Sequence, residues 1–294
     1  MTNNCKISVI VPVYNMYQTI GATLNSIFDQ NYPNLELIVV DGGSNDGTYE
    51  YLNGKKENID ILISEDDNGQ YDAINKGMNL ATGEVVTWLN ADDKYFPWTL
   101  NKVSKFFSDF ENIDWITGLP SFLEKDGSLR NIYSNISARH SSHISRGLFR
   151  DEVFGWLQQE SIFFRKSLWD KVGGLDLNFK LAADFNLWVR FARHSELISV
   201  GIPLASFRVD ENSRSKKFAK EYKNEVKNYL RTISSKNKII DLIFHFKFLK
   251  NILGFFIWKK QKSIFFSNRK KCWVLKSRYR PVSQIGFFNL LLEI

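Results

Sequence analysis

Four short, mainly apolar runs in the first third of the chain constrain its fold more than any other feature. They lie within residues 6–15, 34–41, 59–64 and 84–90, and segments with helical spacing of apolar residues separate them. Apolar runs without apolar–polar alternation are typical of strands buried on both faces. Strands that alternate with helices predict an α/β fold with a doubly wound, mostly parallel sheet.

The segments between the runs carry helix signals. Residues 17–28 and 71–83 have apolar residues at helical spacing, and Gly83 ends the second segment. A further helix is predicted to begin near Asn45 or Asp46, either of which can cap it.

Polar clusters follow each predicted strand at the point where the strand ends. They are Asn15 and the segments 41–46, 65–68 and 90–93. In open parallel sheets, ligands bind beyond the carboxyl ends of the strands. The coincidence predicts a ligand site at this edge of the sheet.

The pair Asp92 and Asp93 follows the buried-looking run 85–89. Helix N-caps or surface turn residues are one interpretation. The other is a site for a hard divalent cation, Mn²⁺ or Mg²⁺, which would in turn neutralise a diphosphate. We favour the cation site because the pair lies at the predicted ligand edge.

Asp41 ends a predicted strand and is followed by the sequence GGSNDGT. No Gly-x-Gly-x-x-Gly or Gly-Lys-Ser/Thr motif is present, so a phosphate-binding loop is weakly supported. Two interpretations of Asp41 remain open: a carboxylate that accepts hydrogen bonds from a base or ribose, and a tight turn with an Asx cap.

Charge divides the chain unevenly. Residues 214–281 hold 20 basic and 3 acidic residues, a net charge of +17, and the remainder carries −10. We therefore predict a catalytic domain over 1–212 and a basic, aromatic-rich, helical C-terminal extension over 213–294. Two distant cysteines and the lack of a run of about 18 apolar residues predict a cytosolic protein without a spanning helix.

On a helix, the basic extension would place Lys247, Lys250, Asn251 and Gly254 on a narrow polar stripe. It either packs on the catalytic domain or makes a peripheral contact with anionic membrane through 237–281, at the cytoplasmic face of the inner membrane. No nucleic-acid-binding motif accompanies the charge, so no nucleic acid partner is expected.

Four motifs together resemble the family 2 glycosyltransferases, which have the GT-A fold, a Rossmann-like doubly wound sheet. They are VIVPVYN, LIVVDGGSNDGT, DNGQYDAINKGMNLATGEVVTWLNADD and GGLDLNFKLAADFNLWVR, and they cover roughly residues 5–210 in order. The sequence GQYDAINKG resembles the branch that builds bacterial surface polysaccharides.

The resemblance implies an inverting transfer from a nucleotide-diphosphate sugar, such as a UDP-sugar, to a hydroxyl of a glycan or lipid-linked saccharide, with Mn²⁺ or Mg²⁺. It implies a nucleotide half over about 1–95 and an acceptor half over about 96–212. Residues expected to bind the nucleotide-sugar are Pro12, Tyr14, Asn15, Asp41, Gly43, Asp72, Lys76, Asn90, Ala91 and Asp92. The metal ligands expected from the same comparison are Asp92 and Asp93.

The resemblance places the general base at Asp184, although a helix N-terminal aspartate is the simpler interpretation of that residue alone. The family pattern has an acidic residue where this chain has Ala183, and Asp-x-Asp where it has Asn90-Ala91-Asp92. Contacts with the sugar or acceptor are expected from Gln159 and Trp188, with Gln158 and Trp156 as further candidates. A core position is equally expected for the two glutamines, and buried packing is the commoner fate of a tryptophan.

Two other functions compete with glycosyl transfer. A sugar-nucleotide nucleotidyltransferase would need a Gly-rich, basic triphosphate loop after the first strand, and VPVYNMYQTIG lacks one. A GT-A-fold binding protein with weak or no catalysis is the second, and Asn90 and Ala183 keep it open.

Overall fold

The structure is a computed structural model. It describes residues 4–133, 139–149, 157–210, 213–233 and 258–281. The strands of the described part are β1 (Ile7–Val13), β2 (Leu35–Asp41), β3 (Ile61–Ser64), β4 (Val85–Trp88), β5 (Lys94–Tyr95), β6 (Trp115–Thr117), β7 (Ser121–Leu123), β8 (Leu129–Ile132), β9 (Ile162–Arg165), β10 (Ile198–Val200), β11 (Ala205–Arg208), β12 (Trp258–Ser267) and β13 (Cys272–Pro281).

Helices connect and cover the strands. The α-helices of the described part are α1 (Tyr17–Phe28), α2 (Thr48–Asn53), α3 (Gln70–Leu80), α4 (Thr99–Asp109), α5 (Ser141–Ile144), α6 (Lys166–Val172), α7 (Ala183–Phe191), α8 (Arg214–Lys217) and α9 (Ala219–Ile233). Short 3-10 helices span Lys56–Asn58 and Gln159–Ser161.

The main sheet has nine strands in the order β13-β12-β10-β6-β9-β4-β1-β2-β3. Strands β9 and β13 run antiparallel to their neighbours, and the other pairings are parallel. The predicted doubly wound, mostly parallel sheet is confirmed. A second sheet with the order β5-β11-β7-β8 flanks it.

The two faces of the main sheet explain why its strands lack apolar–polar alternation. On β1, Ile10 packs into one core cluster, and Val9 and Val11 pack into the cluster on the other face. Because successive side chains of a strand point to opposite faces, a strand covered on both sides is apolar at most positions on both faces.

The helical extension predicted for residues 213–294 is right only in part. Helices α8 and α9 occupy 214–233, but β12 and β13 form an antiparallel hairpin that extends the main sheet beside β10. In β12, buried Gln261 and Ser263 alternate with exposed Lys260 and Lys262, which is the period of a strand. The polar stripe from Lys247 to Gly254 lies outside the described residues.

Helix α9 packs on helix α7. Its Val226 is buried in a cluster with Ala182, Phe185 and Val189 along α7. In the described part of the chain, no helix has the length and apolar character needed to cross a bilayer.

Candidate active site

The polar clusters meet at one edge of the sheet. Strands β1, β2, β3 and β4 are parallel and neighbouring, and they end at Val13, Asp41, Ser64 and Trp88. The segments 41–46, 65–68 and 90–93 therefore follow the carboxyl ends of adjacent strands. The edge predicted from the sequence is the edge that the fold forms.

The loops after β1 and β2 are joined by hydrogen bonds. Asn15 has a left-handed backbone, with φ of 52°, and its side-chain oxygen accepts from the Asn45 amide at 2.9 Å. The Asn15 amide donates to Ser44 Oγ at 2.8 Å. Tyr14, immediately before it, is 59% exposed beside these loops. Pro12 is buried within β1, one residue before the strand ends.

Asp41 is fully buried, and protein groups occupy its carboxylate. Ser44 Oγ donates to Oδ1 at 2.5 Å, and Ser64 Oγ donates to Oδ2 at 2.6 Å. A direct bond from Asp41 to a nucleotide base stays a prediction, and it requires the groups that cover this fully buried side chain to move. In this structure the carboxylate orders the turn after β2.

Gly43 is held close to the loop after β3. Its φ is +77°, and a Cβ at this position would lie 2.5 Å from an oxygen of Asp66. A side chain at residue 43 would therefore be strained and would push the Asp66 carboxylate aside. The predicted nucleotide contact of Gly43 is compatible with this close backbone approach, and it stays a prediction.

Asp72 and Lys76 form an ion pair on the first turns of α3, 3.5 Å apart, and Lys76 also pairs with Glu65 at 2.9 Å. The amide of Asn68 donates to Asp72 at 3.0 Å. That hydrogen bond, and then the charge of Lys76, lower the pKa of Asp72. The pair lies at the ligand edge, where Lys76 adds positive charge.

Both polar atoms of the Asn90 side-chain amide form hydrogen bonds. Its oxygen accepts from Gln70 Nε2 at 2.7 Å, and its Nδ2 donates to Asp93 at 3.3 Å. An aspartate at residue 90 would lose the donor and would place a second carboxylate beside Asp93. This is a physical reason for the neutral residue in the Asn90-Ala91-Asp92 sequence. Ala91 is 2% exposed, without room for a larger side chain.

Asp92 and Asp93 have different surroundings. Asp93 is fully buried and accepts from the Arg208 amide at 2.9 Å, so its carboxylate fixes the loop to β11. Asp92 is partly buried, and no described side chain donates a hydrogen bond to its carboxylate. Burial raises the pKa of Asp92 more than its own backbone amide and the charge of Arg208 lower it, and the charge of Asp210 raises it further. The metal role predicted for Asp93 stays a prediction, but that carboxylate already has protein partners.

Glu160 is a buried acid that the sequence did not single out. It is 2% exposed, and one of its carboxylate oxygens has no hydrogen-bond partner among the described residues. Burial raises the pKa of Glu160 to about 8, and the charge of Asp92 adds to the effect. It is therefore neutral at physiological pH, beneath the loop that carries Asp92.

Asp184 lies in the first turn of α7. The backbone amide of Phe185 donates to its carboxylate, and the Tyr71 hydroxyl, which makes its short hydrogen bond of 2.5 Å to the Leu181 carbonyl, lies 3.4 Å from Oδ1. Burial is the largest influence, and it raises the pKa of Asp184 to about 6 against these bonds and the charge of Arg214. A carboxylate with this pKa is ionised at neutral pH and is a better proton acceptor than an exposed aspartate.

Arg214 connects the two ends of the site. Its guanidinium donates to Gln70 Oε1 at 3.1 Å and to the Lys180 carbonyl at 2.7 Å, and it lies over the Tyr71 ring at 5.9 Å. Because Gln70 bonds Asn90 and Tyr71 contacts Asp184, an unbroken series of contacts runs from the loop after β4 to α7. These contacts connect Asp184 with the 90–93 loop.

Glu225 of α9 holds the segment that precedes Asp184. Its carboxylate accepts from three consecutive amides, those of Lys180, Leu181 and Ala182, at 2.9 to 3.0 Å. Free amides at a helix N-terminus need such partners. The C-terminal extension thus positions the helix that carries Asp184.

Two expected sugar contacts have other positions. Trp188 is 3% exposed and stacks between Trp88 and Trp115, with ring centroids 5.5 and 5.9 Å apart, so its indole packs in the core and not on a sugar. Gln159 is buried and donates to the Trp88 carbonyl at 2.6 Å, with its own oxygen unpartnered in the described structure. Gln158 pairs with the backbone of Ser121. Trp156 lies outside the described residues.

Comparison with known proteins identifies the family. The model of glycosyl transferase family 2 matches residues 8–169. A PGL/p-HBAD biosynthesis glycosyltransferase of Mycobacterium tuberculosis is 31% identical over 196 residues, which cover 65% of this chain and 72% of that protein. The chain belongs to glycosyl transferase family 2.

Solved structures agree with this family 2 assignment at the level of the fold. Staphylococcus aureus TarS 1–349 in complex with UDP-GlcNAc has a TM-score of 0.63 at 19% identity, covering 83% of this chain and 73% of the TarS 1–349 chain. The mannosyltransferase PcManGT of Pyrobaculum calidifontis, in complex with GDP-Man and Mn²⁺, has a TM-score of 0.59 at 21% identity, covering 80% of this chain and 66% of that one. The fold of this family 2 glycosyltransferase is the GT-A fold.

The family 2 match ends before several residues of the site. Asp184, Arg214 and Glu225 all lie beyond residue 169. The sequence predicted Asp184 through a motif, but Arg214 and Glu225 stood in a basic segment whose charges are mostly solvated. Arg214 reaches the site through its contacts with Gln70, Tyr71 and Lys180, and Glu225 reaches it through the packing of α9 on α7.

Proposed function

We propose that this glycosyltransferase moves a sugar from a UDP-sugar to a hydroxyl of a glycan or lipid-linked saccharide, with inversion at the anomeric carbon. The observation that carries the proposal is the series of contacts from Asn90 through Gln70 and Arg214 to Tyr71 and Asp184. It joins a half-buried base to the loop expected to hold a diphosphate. The UDP-GlcNAc complex of TarS supports the choice of donor.

In the proposed reaction, Asp184 takes the proton of the acceptor hydroxyl while that oxygen attacks the anomeric carbon. The bond to the nucleoside diphosphate breaks on the opposite face, through an oxocarbenium-like state. Inversion needs only one such carboxylate, since no covalent intermediate forms, and the neighbouring residue is Ala183. Tyr71 and the Phe185 amide hold the base in place.

Arg214 is our candidate for binding the diphosphate beside Lys76. Arg214 is exposed, and two of its five N–H groups are used in the bonds to Gln70 and Lys180. The remaining donors suit phosphate oxygens, which guanidinium groups bind in a bidentate manner.

The surroundings of the Asp92 carboxylate suit a divalent cation that has few protein ligands. The carboxylate has no described side-chain donor, and burial disfavours its charge, so a cation would supply the missing partner. Within the described residues, no three His, Cys, Asp or Glu side chains are gathered as a complete metal site. Mg²⁺ and Mn²⁺ commonly use one or two carboxylates and complete their shell with phosphates and water. When bound, the ion supplies positive charge against the diphosphate.

The test is a donor screen with the purified full chain. UDP- and GDP-sugars are incubated with an acceptor saccharide and with Mn²⁺, Mg²⁺ or a chelator, and released nucleoside diphosphate is measured. The proposal expects release from a UDP-sugar and an inverted anomeric configuration of the product by NMR. Pyrophosphate release would indicate a nucleotidyltransferase instead. Donor binding without turnover for any sugar would indicate a binding protein.

A further inference from the structure

The hairpin formed by β12 and β13 carries an unbalanced charge. Residues 258–281 contain nine Lys and Arg and no Asp or Glu. Its tip holds Arg269, Lys270 and Lys271, all exposed, and no described carboxylate forms an ion pair with them. The turn is ordered by bonds from the amides of Lys270 and Lys271 to Ser267. Such a fixed cluster of like charges has no partner within the described part of the chain.

An exposed aromatic side chain accompanies the basic tip. Phe266 is 46% exposed, and its ring packs edge-on against Trp273 at 5.7 Å. Trp273 in turn contacts Phe106 of α4 at 5.0 Å, so the aromatic pair is anchored to the body of the protein. Protein surfaces that bind at a membrane interface combine exposed aromatic residues with Lys and Arg in the same way.

The register of the main sheet places this tip on the edge that carries the site. Ser263 of β12 pairs with Ser199, which pairs with Thr117, which pairs with Ile162 of β9. Strand β12 is parallel to β10, and β10 to β6, so β12 ends on the same edge as β1 and β4. The hairpin tip and the 90–93 loop therefore extend beyond one edge.

Four inter-strand steps separate β12 from β4 in the sheet order. At about 4.8 Å a step, this is a lateral distance of about 19 Å. The twist of the sheet turns the axis of the hairpin relative to β4. The tip and the site therefore lie on the same edge of the sheet but point in different directions. A surface bound at the tip would lie beside the site and not behind it.

We propose that Phe266, Arg269, Lys270 and Lys271 dock this enzyme on an anionic phospholipid surface, at the cytoplasmic face of a membrane. The lysines and arginine would meet anionic headgroups, and Phe266 would enter the headgroup layer. Docking itself does not depend on catalysis. Its use rests on the proposed function, since it brings the site to a lipid-linked acceptor.

Vesicle sedimentation of the full chain tests the docking. The variant Arg269→Glu/Lys270→Glu reverses two charges at the tip, and Phe266→Ser removes the exposed ring. The matched control is Lys55→Glu/Lys56→Glu, which reverses two exposed charges ahead of β3, on the opposite edge of the sheet. Vesicles contain phosphatidylcholine with or without phosphatidylglycerol, and thermal unfolding verifies that each variant is folded.

The proposal expects wild type and the control to sediment with phosphatidylglycerol vesicles and not with pure phosphatidylcholine. The tip variant should bind at least tenfold more weakly, and Phe266→Ser should also bind more weakly. Equal sedimentation of the tip variant and the control would overturn it, as would binding to RNA in place of vesicles. Nucleoside diphosphate release in solution, measured on the same proteins, separates failure of docking from failure of the proposed chemistry.

Discussion

Replacing Asp184 by Asn should stabilise the protein at alkaline pH while it abolishes glycosyl transfer. The native fold holds the carboxyl of Asp184 where burial raises its pKa from 3.8 to about 6. Ionising this side chain therefore costs more in the folded state than in the unfolded state. Asparagine has nearly the same shape and keeps an oxygen for Tyr71 and the Phe185 amide, but it carries no charge.

The size and sign of the effect follow from the shift in pKa. Roughly two pH units correspond to about 3 kcal/mol at about 1.4 kcal/mol each, an upper value for this half-buried group. Because the folded pKa is raised, the cost is absent only well below about pH 4, where Asp184 is protonated in both states, and it is nearly complete above about pH 6. Asp184→Asn should thus raise the free energy of unfolding by up to about 3 kcal/mol at about pH 8 and by less than about 1 kcal/mol at about pH 4.

Urea unfolding of wild type and variant at both pH values measures the difference, and nucleoside diphosphate release measures activity. Glu36→Gln is the control of opposite sign. Burial would raise the pKa of Glu36, but bonds from Lys6, Ser8 and Thr82 outweigh it and lower the pKa to about 2. Glu36→Gln should therefore destabilise the fold at about pH 8. A loss of stability in Asp184→Asn at about pH 8, or retained transfer, would refute the reasoning.

Three further predictions concern the same site. The kcat/KM for transfer should fall as pH drops through about 6, because protonated Asp184 cannot accept the acceptor proton; a flat profile across that range would exclude it as the base. Arg214→Ala should weaken UDP-sugar binding, measured by calorimetry, by about tenfold, because the donors to the diphosphate are lost. Arg214→Lys should have an intermediate effect, because it keeps the charge and loses the fork of donors. Unchanged binding would show that Arg214 does not contact the diphosphate. Glu225→Ala should lower kcat more than it raises KM, because Glu225 positions the helix that carries Asp184. It should also cost about 1–3 kcal/mol of stability, because three amides lose their acceptor. An unchanged kcat with reduced stability would show that Glu225 is purely structural.

The sheet could be predicted because its causes are local in sequence. Runs such as the one that forms β1 are apolar on both faces, and helix α1 begins and ends at the predicted residues, 17 and 28. The ligand edge follows from the same pattern, since the polar residues begin where each parallel strand ends. These features need no knowledge of which distant residues meet.

Other features depend on tertiary contacts that one sequence does not reveal. A tryptophan such as Trp188 can stack on a sugar ring, yet Trp88 and Trp115 enclose this one in the core. Asp41 follows its strand as a ligand residue would, but Ser44 and Ser64 occupy it.

The hairpin at 258–281 was predicted to be helical because lysines and large apolar residues intermix there. The alternation of buried and exposed residues along β12 arises from the pairing of this strand with β10, which the sequence does not reveal. The domain division at residue 212 stays a prediction, although α9 and the hairpin both pack on the rest of the chain.

A crystal structure with UDP and Mn²⁺ tests the central claim most directly, namely that the 90–93 loop and Asp184 serve one sugar-nucleotide. We predict a diphosphate between Asp92 and Arg214, a cation on the Asp92 carboxylate, and Asp184 facing the space beyond the β-phosphate. UDP bound at another edge of the sheet, or with its diphosphate remote from both Asp92 and Arg214, would contradict the account.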